Sequence, residues 1–116
     1  MRISLFALFF LAGCSDTPAD PNDNGNTPPP SAASVTVGDN LYTPSRVDLA
    51  LGGTVTWTWA GFALHTLTFD NPDIESTSAR TTGATSRLFA AAGDYTYYCT
   101  IHGRAVMSGR VVVVTL

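Results

Sequence analysis

The chain has 116 residues, a formal charge of −3, and 45% hydrophobic against 13% charged residues, a globular composition with about half the usual share of charge. All six basic residues are Arg, scattered at positions 2, 46, 80, 87, 104 and 110, so there is no positive stripe for a phosphate backbone and nucleic acid is excluded as a partner. The length fits one small domain, and two His and two Cys limit the chemistry it can hold.

Residues 1–13 read as a signal peptide. Met1-Arg2 is a short basic start, and Ile3 to Ala12 (ISLFALFFLA) is an apolar run too short to cross a hydrocarbon core of about 30 Å. The run ends in Leu11-Ala12-Gly13-Cys14, which resembles the lipobox of bacterial lipoproteins. That resemblance implies cleavage before Cys14, lipid on its sulfur, and an exported protein anchored to a membrane of the cell envelope, on its periplasmic or outer face. The plain alternative is an ordinary cleaved signal with a chance cysteine. Residues 14–33 hold five of the seven prolines, three aspartates and no large apolar side chain. Such a stretch cannot bury enough surface to offset its ordering entropy, and it is expected to be a disordered tether.

From Ser34 the pattern shifts to period two. Ser34 to Val37, Arg46 to Leu51, Thr54 to Ala60, Leu64 to Phe69, Thr85 to Ala90, Tyr95 to Cys99 and Arg110 to Leu116 are rich in Val, Thr, Trp, Tyr and Phe and bounded by Gly, Pro, Asn or Asp. They predict strands, and residues 34–116 an all-β domain, a small antiparallel sandwich. Alternation places Val55, Trp57 and Trp59 on one face and Thr54, Thr56 and Thr58 on the other, with the first set buried. The same rule puts His65 with Leu67 and Phe69, and Cys99 with Tyr95 and Tyr97. An imidazole and a thiol are thus expected to point inward at strand ends. The acids around Asn71-Pro72, namely Asp70, Asp73 and Glu75, read as a solvated loop.

The run from Gly93 to Gly109 carries the chemistry. On one straight strand Cys99 and His102 would lie about 10 Å apart on opposite faces, too far for two ligands whose bonds to a metal are about 2.0–2.3 Å. The chain must therefore turn after Cys99, and Gly103 and Gly109 permit it. Such a loop carries Cys99, His102 and Met107 around one point, with His65 arriving from a neighbouring strand. A thiolate, two imidazoles and a thioether suit copper better than magnesium, calcium or manganese; zinc accepts the first three but has little use for the thioether. A Cys14 to Cys99 disulfide is the competing use of the thiols, but the lipobox consumes Cys14.

The motif Tyr-x-Tyr-x-Cys99-x-x-His102-x-x-x-x-Met107-x-Gly109 and its valine strand, with Gly53-Thr-Val-Thr-Trp57 and His65-Thr-Leu-Thr-Phe69 upstream, resembles the plastocyanin-like cupredoxins, which are type 1 blue copper proteins. The resemblance covers residues 34 to 116 and implies a Greek-key sandwich or barrel of seven to eight strands. It implies one copper per chain on His65, Cys99, His102 and Met107, single-electron transfer without enzymatic turnover, and a monomer that meets redox partners transiently near His102. Thr66 stands where many relatives have Asn, and Ile101 where Pro is frequent, which bears on the hydrogen bonds around the sulfur. The second reading of the same site is a copper-binding lipoprotein that holds or delivers the metal.

Overall fold

The computed structural model describes residues 28–115. Its eight strands are β1 (Ala32–Gly38), β2 (Leu41–Thr43), β3 (Arg46–Ala50), β4 (Thr54–Trp59), β5 (Thr68–Phe69), β6 (Ala84–Leu88), β7 (Gly93–Tyr98) and β8 (Ser108–Val114). They form two four-stranded sheets, ordered β2-β1-β4-β6 and β3-β8-β7-β5, and the described residues contain no helix. The expected signal peptide, Cys14 and the expected tether up to residue 27 lie outside the described residues, as does Leu116.

The all-β sandwich is the expected class, but its sheets are mixed rather than purely antiparallel. β1 runs parallel to β4, Ala32 opposite Thr54 through Val37 opposite Trp59, and β3 runs parallel to β8, Arg46 opposite Arg110 through Ala50 opposite Val114. The cause is the connectivity. The chain changes sheet at every link from β2 to β7, and only β1–β2 and β7–β8 are neighbours in both sequence and sheet. Strands joined through a crossover are free to pair in parallel, whereas hairpin partners are not.

Local boundaries also differ. β2 is an unanticipated strand: over Leu41, Tyr42 and Thr43 only Tyr42 points inward, too short a run for alternation to register. Of the expected Leu64 to Phe69 strand, only Thr68 and Phe69 pair continuously. His65 instead makes a single bridge to Arg80, each amide bonding the other's carbonyl at 3.1 Å.

The predicted faces hold. Val55 and Trp57 are fully buried and Trp59 nearly so, while the threonines between them face outward. Trp57 joins the two sheets: its ring meets Phe69 of β5 and Tyr97 of β7 edge-on, both at 5.6 Å, a favoured quadrupolar arrangement. Tyr97 is flanked in turn by Tyr42 at 4.7 Å. Cys99, Met107, Leu67 and His65 are buried where this aromatic core meets one end of the sandwich.

β1 begins two residues before the expected Ser34, and Ala32 and Ala33 lie opposite Thr54 and Val55. The Pro30 carbonyl accepts from the Ala50 amide at 2.8 Å and the Ser31 carbonyl from Thr54 at 3.0 Å. A chain trimmed to begin at Ser34 is therefore expected to be less stable than one beginning at Pro28. With each lost backbone bond worth ~0.5–1.5 kcal/mol net, the urea midpoint should fall measurably; equal midpoints would show that residues 30–33 add nothing.

Candidate metal centre

Two segments far apart in sequence supply the donor atoms. The first leaves β4, turns through Gly61, Phe62, Ala63 and Leu64, and delivers His65. It is fixed from below: the Trp59 indole N–H donates to the His65 carbonyl at 3.1 Å, and the Tyr42 hydroxyl to the Thr66 carbonyl at 2.7 Å. The second leaves β7 and turns at Gly103, whose φ of 88° lies in the left-handed region that favours glycine. The Gly103 amide donates to the Cys99 carbonyl at 2.9 Å, the Met107 amide to the Gly103 carbonyl at 3.0 Å, and the Cys99 amide to the Met107 carbonyl at 3.0 Å. These bonds fold the loop back so that Cys99 and Met107 are neighbours before β8 begins.

The two segments are tied to each other. Thr66 Oγ1 accepts from the Thr100 amide at 2.9 Å and lies 3.0 Å from Thr68 Oγ1 and 3.3 Å from Thr100 Oγ1. The threonine standing where Asn is frequent thus bonds the residue after the cysteine directly. Across the outer side, Arg104 forms a two-pronged ion pair with Asp70 at 2.7 and 2.8 Å and lies over the Tyr98 ring at 4.0 Å. Asp70, read from sequence as part of a solvated loop, is bound to the ligand loop instead; Asp73 and Glu75 are exposed.

His65 and Cys99 are fully buried and His102 partly so. The Cys99 Sγ lies 3.9 Å from His65 Nδ1 and 3.5 Å from His102 Nδ1. All three donor atoms fall within 4.8 Å of one another, and the imidazole rings overlap at 4.8 Å with 33° between planes. Donors sharing one ion at about 2.0–2.3 Å sit roughly 3.5–4 Å apart, so these residues fit a single metal. Met107 is fully buried in the hydrophobic core that also holds Cys99, and its carbonyl accepts from the Cys99 amide.

Burial alone would oppose ionisation of Cys99. Hydrogen bonding from His102, from the Thr66 and His102 amides and from His65 outweighs it and brings the thiol down to about 6, so the thiolate a metal needs is available at neutral pH. Burial likewise works against the His65 imidazolium, but Asp39 and Cys99 outweigh it and leave its pKa above the ordinary value. Asp39 Oδ1 sits 2.9 Å from His65 Nε2. Sequence reasoning missed this carboxylate because Gly38-Asp39-Asn40 reads as a plain turn, and nothing in its spacing points across to residue 65.

The chain matches the model of the family described as copper binding proteins, plastocyanin/azurin family, over residues 31–114. No curated protein matches it. Among solved structures it is similar to the oxidized plastocyanin of Dryopteris crassirhizoma, at 25% identity and a TM-score of 0.61 over 70% of this chain and 99% of that one. An oxidized amicyanin point mutant aligns at 30% identity and 0.62, over 72% and 82%. A purple cupredoxin from Nitrosopumilus maritimus aligns at 23% and 0.60, over 71% and 99%. With this match, a thiol and two imidazoles within 4.8 Å of one another, and a methionine buried in the core that also holds Cys99, make one type 1 copper the cofactor. The chain belongs to the plastocyanin/azurin family of copper-binding proteins and is a plastocyanin-like cupredoxin.

Proposed function

We propose that this protein carries single electrons between redox partners while tethered to a membrane, with copper held by His65 and His102 through Nδ1, by the Cys99 thiolate and, weakly, by the Met107 thioether. The observation that carries the reading is the Cys99 sulfur within 3.9 Å of both imidazole nitrogens in a buried pocket. The bound metal supplies a Cu(II)/Cu(I) couple. The chain's own part is to hold the donors still: the turns around Gly103 fix Cys99 relative to Met107, and Thr66 fixes His65 relative to Cys99. Both histidines of the sequence are used, so none is left for a second, catalytic copper, and the reading is of a carrier and not an enzyme.

The surface around the site supports brief encounters. His102 is partly exposed, and Phe62, Leu64, Ile101 and Val106, on the two loops that deliver the histidines, are half or more exposed. A small apolar rim of this kind suits a transient redox complex of a monomer, below the area of a lasting interface. Anchoring through lipid on Cys14 rests on the Leu11-Ala12-Gly13-Cys14 sequence, with the proline-rich stretch giving the domain reach from an envelope membrane.

The protein should turn intensely blue with Cu(II) and bleach reversibly on reduction, and Cys99→Ala should abolish the colour; a colourless Cu(II) complex of the unaltered chain would overturn the type 1 assignment. Copper handover to an apo acceptor that is fast while electron exchange is negligible would favour a delivery role over a carrier.

Phe62→Glu leaves every donor in place but puts a charge on the rim. Electron self-exchange between oxidised and reduced copies, which brings like rims together, should slow by roughly tenfold with the visible spectrum unchanged. An unchanged self-exchange rate would remove Phe62 from the docking surface.

A further inference from the structure

Asp39 lies in the turn between β1 and β2, and its carboxylate is spent entirely on the metal end of the domain. Oδ1 lies 2.9 Å from His65 Nε2. The same carboxylate accepts from the Phe62 amide, at 3.0 Å to Oδ1 and 3.1 Å to Oδ2, and from the Ala63 amide at 3.0 Å. These are the residues that lead into His65. The backbone is shaped for this approach: a Cβ built on Gly61 would run into the Asp39 carboxylate and crowd its amide, so the residue facing Asp39 has no room for a side chain.

The two edges of the His65 ring are thereby assigned. Nδ1 faces the Cys99 sulfur and is the atom a metal would take, so in the metal-bound ring the remaining proton would sit on Nε2 and be donated to Asp39. A carboxylate accepting from a ligand imidazole fixes its tautomer and orientation and raises its basicity. His65 is fully buried while the Asp39 side chain is 39% exposed, so the negative charge stays hydrated at one edge while its hydrogen bond acts in the dry interior.

We infer that Asp39 is the positioning residue for His65, holding Nδ1 toward the metal, and that its charge favours the oxidised ion and sets the reduction potential lower than a neutral partner would. This rests on the copper reading above. A more basic imidazole stabilises the doubly charged ion more than the singly charged one, so removing the carboxylate charge makes reduction easier. Asn keeps an oxygen to accept from Nε2–H but loses the charge. Glu keeps the charge on a longer arm. Ala at Gly61 displaces the carboxylate without deleting it.

The test uses the full copper-loaded chain. Asp39→Asn should remain blue, show a raised reduction potential, and bind Cu(II) ~10–100-fold more weakly, with a smaller loss for Cu(I). In the reduced, diamagnetic form, the His65 Nε2 proton should exchange with water faster than in the unaltered protein. Asp39→Glu should recover part of the potential and affinity, and Gly61→Ala should move both in the direction of the Asn variant. A blue unaltered protein whose Asp39→Asn variant keeps the same potential, Cu(II) affinity and proton exchange overturns the role of Asp39 alone. A colourless unaltered protein overturns the copper reading and this inference with it.

Discussion

Everything at the metal end depends on keeping one buried sulfur charged. A thiolate in an apolar interior is costly unless donors surround it, and in the metal-free domain the cysteine on the edge of this aromatic core has them: both imidazoles, the Thr66 amide and the His102 amide. Those donors sit on two segments far apart in sequence. Each has its own floor beneath it, Trp59 and Tyr42 under the first and the turn at Gly103 under the second. The Thr66–Thr100 bond then sets the distance between them. The fold is thus less a container for the site than the means by which residues 34 positions apart keep hydrogen-bonding distance.

How much of this was legible in the sequence depends on the range of each interaction. Alternation in Thr54–Trp59 gave the buried face because side-chain period is a local property, and the Cys99 to His102 spacing announced a turn because a straight strand would separate the two donors. Parallel pairing of β1 with β4 and β3 with β8 left no mark, since it is decided by which sheet each strand joins. β2 was too short to show a period. Asp70 and Asp39 illustrate the same limit: a carboxylate in a polar turn looks solvated from its neighbours alone, yet one is bound to Arg104 and the other to His65. Thr66 was visible as a departure from the commoner Asn, but its bond to the Thr100 amide was not.

The charges of the described residues are arranged with the same economy. Arg46 pairs with Asp48, Arg110 with Asp94 and Arg104 with Asp70, all on exposed side chains where such pairs add little to stability. What they do achieve is local neutrality, so no large field of one sign surrounds the domain to select a partner at long range. In the proposed carrier role, selection would then fall to contact at close quarters, where the loops bearing Phe62 and Ile101 present apolar side chains beside a partly exposed imidazole. Asp39 differs from these three, because its partner is a buried ring rather than an arginine. Its Oδ1 accepts from the amides of Phe62 and Ala63 and is also the oxygen beside His65 Nε2. The loop a visiting protein would touch and the ring that would hold the metal therefore share one carboxylate, and any displacement of the one must be felt by the other.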